Sequence, residues 1–581
     1  MTPTNGHNWS LILWSRSRVI VCLLSLVISG TVAEAQALSS ERGQSNPLAR
    51  HYKIAIDVDY HAASFTGREV VRVANSGRDE IDSVSFHLYP NVGLGEESEL
   101  WLTVQRVLIG TRELRFSLKS HGSVVRVQLP TKLPSKQSIE LTLEFTGRVP
   151  KVQREETSLL AHFLHEVNDA VNDEPQSSDA RDIFFASDQA TLLGYFYPML
   201  AIKSGLSTEQ GLATGVGGVV LSEVADYDVT VRVDEGVTVI ASAPGNGHQL
   251  AALPGAAART RTEYVFHGEQ LRGFALTLGE KLQAVEKQVG KIRIASWYQE
   301  GDQGIGKRML ESAARAVEVY NKAFGEYPSP TLNVIELPLT AGYSGIEFPG
   351  MVVLAQAYYI DFNTAEAQRL PQLLREQADV IEAALEFTLA HSLAHQWWGC
   401  VVGSDPQRNP WLDEALANYS AAYFYEAAYG KALGAEAIDR QLRATWHAWR
   451  MLGGMDQEVD KPAREFHSSI QFAAIVQSKG ALMLAALRQE LGDDRFFSAL
   501  RYYYNNHKFQ IATPDHLRYA LLAAVEDPQA VKDLLQRWLK EKHADEDIGV
   551  AELTMSNPPG SKKRTLGRFF GRIGRAAARP F

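Results

Sequence analysis

The spacing of apolar residues along this chain changes period once, and that change limits what it can fold into. From about residue 50, Tyr52, Ile54, Ile56, Val58 and Tyr60 alternate with Lys53, Ala55, Asp57 and Asp59, the period of two that a half-buried strand requires. Similar short runs recur to about residue 285, among them 84–88, 138–143 and 227–233, separated by Gly, Pro, Asn and Asp. Together they predict a β-sandwich over residues 45–285. After residue 304 the period becomes helical, with Met309, Ala313, Ala316, Val317 and Tyr320 on one face of a segment ending near Phe324-Gly325. Two strands (332–337 and 345–354), a long helix over about 371–399 and further helices from 471 to 547 complete the pattern. The expected fold is multidomain α+β, with a mixed domain at 290–435 and a helical end at 436–548 after the sandwich. The acidic stretch 154–180 reads as a long surface loop.

Charge separates placement from chemistry. The 581 residues carry a net charge of −10, which argues against a general nucleic-acid binder. Residues 1–37 contribute +1 and residues 561–581 contribute +7, so the body between them is at −18. Arg16 and Arg18 precede the largely apolar run 19–32, followed by Ala33-Glu34-Ala35. That is the order of a signal peptide over residues 1–37, and the run falls short of the roughly 20 residues that span a bilayer. An exported protein, periplasmic or extracellular, is expected. Its mature form keeps Cys400 as the only thiol, a small buried hydrophobe by expectation. The tail at 556–581 spaces Lys562, Lys563, Arg564, Arg568, Arg572, Arg575 and Arg579 between Phe569, Phe570 and Ile573. As a helix it would be amphipathic and suited to an anionic membrane, although three glycines weaken it by about 1 kcal/mol each and leave a solvated tail as the alternative.

The chemistry concentrates near residue 400. His391 and His395 are four apart on the expected helix, so both imidazoles project from one face. Glu414, nineteen residues beyond in Trp411-Leu-Asp-Glu414, completes a His-His-Glu zinc set that leaves one position open. A second histidine cluster, His162, His165 and Glu166, adjoins the acidic stretch without a third ligand at a known spacing and reads as surface.

Several further stretches accompany that set: Gln396-Trp397-Trp398-Gly399, Gly345-Ile-Glu347-Phe-Pro-Gly350, Phe86-His-Leu-Tyr-Pro-Asn91, Tyr197-Pro-Met-Leu-Ala201, Ser222-Glu-Val-Ala-Asp-Tyr-Asp228 and Lys479-Gly-Ala-Leu. Together they resemble the membrane alanyl aminopeptidase and leukotriene hydrolase family of gluzincins, in a short bacterial form, over residues 50–545. The resemblance implies a thermolysin-like zinc metallopeptidase domain at 290–435. It also implies that Glu347 holds the free α-amine of a peptide, with Gln189 as a second amine contact.

Two positions depart from the family pattern. The residue after the first histidine, a glutamate in the family that takes a proton from the attacking water, is Ser392 here. The tyrosine that stabilises the oxyanion is replaced by Gln477 in Val476-Gln477-Ser478-Lys479-Gly480, an amide that could still donate to an oxyanion. Losing a general base costs about 10² to 10⁴ in rate and losing an oxyanion donor about 10² to 10³. The leading expectation is an exported zinc protein that binds peptide N termini and hydrolyses them poorly. An active aminopeptidase with altered proton transfer and a non-catalytic scaffold are the alternatives. Side-chain preference and oligomeric state are not legible.

Overall fold

A computed structural model describes residues 50–171, 180–202, 216–250, 260–365, 367–549 and 579–580. Residues 1–37, expected to be a signal peptide, and most of the basic tail lie outside the described residues.

The period-two segments form a sandwich. Its large sheet has eight strands in the order Gly245–Leu250, Arg261–Leu271, Ala225–Asp234, His51–Asp59, Ser64–Ala74, Ser138–Arg148, Leu102–Ile109 and Arg112–Glu113. Two four-stranded sheets complete the region. In His51–Asp59, Tyr52, Ile54, Ile56 and Val58 are buried and the residues between them exposed, as the alternation requires. Tyr52 stacks on Tyr227 at 5.0 Å between ring centroids, and Tyr197 donates its hydroxyl hydrogen to the Tyr227 hydroxyl at 2.8 Å. The sandwich's own strands end at Gly279. Gln283–Val289 instead opens the next sheet by pairing with Ile292–Tyr298.

That next sheet positions the site. Its order is Gln283–Val289, Ile292–Tyr298, Thr331–Leu337, Met351–Ala355, Tyr343–Phe348, with Arg579–Pro580 paired in parallel to the last strand. The single strand expected at 345–354 is therefore two, folded back at Pro349-Gly350 with Glu347 opposite Val352. Gly350 has φ 72°, and a Cβ there would lie 2.4 Å from the Ser242 carbonyl oxygen, so only glycine allows this turn against the sandwich. The helix Gln303–Phe324 buries its expected apolar face, and its Tyr320 donates to the Ala390 carbonyl at 2.9 Å.

The long helix expected at 371–399 is a short turn, Gln372–Arg375, followed by Ala378–Ala394, which is buried on every side from Phe387 onward. Trp397 and Trp398, just past its end, anchor it by donating to the Gly325 carbonyl at 2.8 Å and to the Ser420 hydroxyl at 3.1 Å. A second helix, Trp411–Tyr429, packs beside it. Of the helical end, Ser469–Leu491 is long and apolar enough to cross a membrane, but 89% of its most apolar stretch is buried inside the protein, so it is a core helix.

The acidic stretch corrects the loop expectation, because Leu159–Val171 is a helix. His162 in it is buried rather than on the surface, with a ring nitrogen 3.2 Å from the Leu339 carbonyl, and burial pushes its pKa down to about 4. A neutral imidazole bonded to a carbonyl has left no surface role.

Candidate metal centre

The two helices bring the predicted ligands together. The Nε2 atoms of His391 and His395 are 3.0 Å apart, and Glu414 Oε2 lies 3.7 Å from the first and 3.8 Å from the second. All three side chains are buried, and among the described residues this is the one cluster of this kind. A tetrahedral ion with bonds of about 2.0 to 2.2 Å requires ligand separations of about 3.3 to 3.6 Å; the histidine pair is closer than that and the two carboxylate distances slightly longer, so small side-chain adjustments would bring the triangle to zinc's size. The far side of each ring is also committed. His391 Nδ1 is 2.9 Å from Asn418 Oδ1, and His395 Nδ1 is 2.9 Å from the Trp398 carbonyl. Since a carbonyl only accepts, both Nδ1 atoms carry a hydrogen, and Nε2 is the atom that each ring turns toward the centre.

The field at this centre favours a cation. Burial alone would lower the pKa of His395, but the carboxylates of Glu347 and Glu414 outweigh it and lift it to about 10. Burial and the neighbouring His395 hold His391 neutral. The donor set, its spacing and its electrostatics therefore fit zinc.

Glu347 enters from the strand Tyr343–Phe348, and its Oε2 has no hydrogen-bond partner among the described residues. Burial first, then the nearby Glu414 and Asp413 carboxylates, push its carboxyl up to about 8, against the opposing pull of His395. An acceptor held dry and unpartnered beside the metal triangle suits an ammonium group.

Ser392 is fully buried and near enough to the Glu347 carboxyl to help lower its pKa, although its hydroxyl closes no hydrogen bond among the described residues. A Cβ on Gly345 would be 3.1 Å from its Oγ, so the serine packs against the backbone of the Glu347 strand. Nor does it line the cleft that Glu347, His395 and Glu414 share with Asp413, Phe472 and Tyr195. Gln477 sits in a π-helical turn, Ala473–Lys479, and its Nε2 donates to Glu414 Oε2 at 2.9 Å. The amide expected to be free for an oxyanion is thus bonded to a metal ligand.

Gln189 is placed elsewhere. It lines a neighbouring cavity with Tyr60, Lys151, Asp188 and Glu280 and is absent from the lining of the Glu347 cleft. Cys400 is half-buried on the cleft wall rather than enclosed in the core. Asn418 went unread although a signal existed, since it follows Glu414 by four residues on one helix face. Arg272, Ser222 and Ser404, which also line the cleft, carried no local signal.

Comparison with known proteins agrees with this geometry. Residues 308–538 match the model of the Peptidase family M1 domain. The chain is 29% identical over 254 residues to aminopeptidase N of Lactobacillus helveticus, covering 40% of this chain and 26% of that protein. It is 23% identical over 508 residues to aminopeptidase N of Lactococcus lactis subsp. lactis, covering 85% of this chain and 51% of that one. The chain therefore spans about half or less of these curated relatives. Among solved structures it is similar to an M1 zinc metallopeptidase from Deinococcus radiodurans, with TM-score 0.54, 17% identity and coverage of 85% and 93%. The same metallopeptidase as a mutant with bound Tyr-Ser-Ala substrate gives TM-score 0.56 and 18% identity, covering 85% and 94%. At that identity the likeness establishes the fold.

Proposed function

Since the chain belongs to the M1 family of zinc aminopeptidase-like proteins, we propose that it binds zinc and peptide N termini in one cleft while hydrolysing peptides poorly or not at all. One contrast carries this reading. The ligand triangle keeps every supporting hydrogen bond, while the position of the general base holds a sealed serine and the amide at the oxyanion position is bonded to Glu414.

His391 Nε2, His395 Nε2 and Glu414 would hold the zinc. When bound, the ion supplies Lewis-acid polarisation of a carbonyl and acidifies water. Glu347 Oε2 takes the α-ammonium, and ionises as it does so because the incoming charge offsets its burial. Gln477 fixes the orientation of Glu414 rather than stabilising charge on the substrate. Ser392 has neither the proton affinity nor the reach of a carboxylate, which is the loss that costs about 10² to 10⁴ in rate.

A second reading, an aminopeptidase using another base, is favoured by Asp413. Its carboxyl lines the cleft beside Glu414, and burial, reinforced by Glu414, raises its pKa. Zinc content, binding of aminoacyl amides and release of N-terminal residues from aminoacyl reporters decide between these readings. The proposal expects one zinc per chain, amide binding and negligible turnover. Turnover typical of aminopeptidases that Asp413→Asn abolishes establishes the second reading. We also propose export, on the strength of the apolar run 19–32 and Ala33-Glu34-Ala35. A mature protein whose sequence begins at Gln36 supports export, and a cytoplasmic chain retaining residue 1 refutes it.

A further inference from the structure

The lining of the cleft includes a buried positive charge that nothing in the proposed chemistry uses. Arg272 is 8% exposed. Its Nε donates to the Cys400 carbonyl at 3.4 Å, one terminal nitrogen to the Ser222 carbonyl at 2.5 Å and the other to the Gln510 carbonyl at 3.1 Å. Three of the five guanidinium hydrogens are so used, every one by a carbonyl and none by a carboxylate. After the Cys400 thiol, the acid that most influences it is the Glu223 carboxylate, which is already paired with Arg50 at 2.7 Å. Burial lowers the Arg272 pKa to about 10, so the group remains cationic at neutral pH. A buried guanidinium without a counter-ion is costly.

Two hydroxyls stand in the same lining. Ser222 and Ser404 are 4% and 7% exposed; the Ser222 Oγ has no hydrogen-bond partner among the described residues, whereas the Ser404 hydroxyl acts on Asp413, a carboxyl in the same lining whose pKa it helps to lower. The chain accommodates the arginine closely, because a Cβ on Gly403 would lie 2.4 Å from its Cζ. The Arg272 guanidinium, with two N–H hydrogens uncommitted, and the Ser222 hydroxyl offer an anion donors in a cleft that also holds the carboxyls of Glu347, Asp413 and Glu414.

We infer that this part of the cleft selects peptides whose first residue carries a carboxylate side chain, bound by Arg272 with Ser222. This rests on the proposal that Glu347 holds the α-amine. The first side chain leaves the same carbon as that amine, so a cleft shared by Glu347 and Arg272 can take both, whereas the C-terminal carboxylate of a short peptide is separated from the amine by at least one peptide bond.

Calorimetry on the zinc-loaded full chain tests it with glutamic acid α-amide, glutamine α-amide, alanine amide, and Ala-Ala with and without a free C-terminal carboxylate. The glutamic acid amide is expected to bind about 10- to 100-fold tighter than its glutamine isostere, a preference falling to within about twofold in Arg272→Met. That variant removes a tie between three backbone segments, so Ser222→Ala, which keeps the backbone carbonyl that Arg272 donates to and is expected to reduce the preference about threefold, provides a check that leaves the tie in place. Equal binding of the glutamic acid and glutamine amides, with alanine amide bound, overturns this inference and leaves the amine site standing. Preference only for the free C-terminal carboxylate overturns it and assigns Arg272 to the chain end. Binding of none of the amides removes the amine site and this inference together.

Discussion

The two sides of the metal centre have been treated differently. On the holding side, His391, His395 and Glu414 each have a partner that fixes them: Asn418, the Trp398 carbonyl and Gln477. On the reacting side, Ser392 is sealed against the Glu347 strand and its hydroxyl closes no hydrogen bond among the described residues. Holding a metal and moving a proton are therefore separable requirements. Gln477 shows how one residue crosses between them, since its amide bonds to the ligand and so supports the side that is intact.

Each test of this contrast strikes one side. Removing a ligand with His395→Ala should bring zinc below one-tenth occupancy in metal analysis, a change of about 10³-fold or more in affinity; full retention would break the holding side outright. Restoring a base with Ser392→Glu should raise release of N-terminal residues by about 10² to 10⁴, and adding Gln477→Tyr should raise it further. If the double variant stays inactive while still binding amides, the contrast is more than two residues deep. Truncating a support with Asn418→Ala should weaken zinc by about 10- to 100-fold in chelator competition, with no effect on fold. Gln477→Leu should weaken it by about tenfold; an unchanged affinity would return Gln477 to the reacting side.

The smallest expected effect compares two carboxyls. Glu69 in the sandwich and Glu347 in the cleft both have buried oxygens without partners, and burial pushes both above the usual carboxyl range. A raised folded-state pKa means that the folded chain holds more protons, so the stability linked to Glu69 is lost as pH rises from about 4.5. Glu69→Leu should stabilise the protein at neutral pH by about 1 to 3 kcal/mol and flatten that decline in thermal unfolding followed across pH. Glu347→Leu should also stabilise, but with loss of amide binding. Nothing in the structure explains why Glu69 is retained.

The readable part of the site was the part governed by local geometry. His391 and His395 share a helix face at a spacing of four, and the identities at 392 and 477 are letters in the sequence. Where Gln477 points was illegible, because it depends on a turn one residue wider than an α-helix. Arg272 was illegible because its acceptors come from residues 222, 400 and 510. Gln189 is placed by its own short turn, in which Ser187 Oγ accepts from the Gln189 and Ala190 amides, and so does not reach the cleft. The helix Leu159–Val171 was missed because its acidic flanks masked the apolar face that buries His162 beneath Tyr358.

The wide turn at Ala473–Lys479 has a further consequence. A π-helical turn is an α-helix carrying one additional residue, so it is a place where the helix can shorten by one without rotating the segment Gly480–Leu491 that follows. Such a deletion would leave the packing of that segment in register and change which side chain meets Glu414. Chain length, as well as residue identity, can thus rewrite the contact that now belongs to an amide.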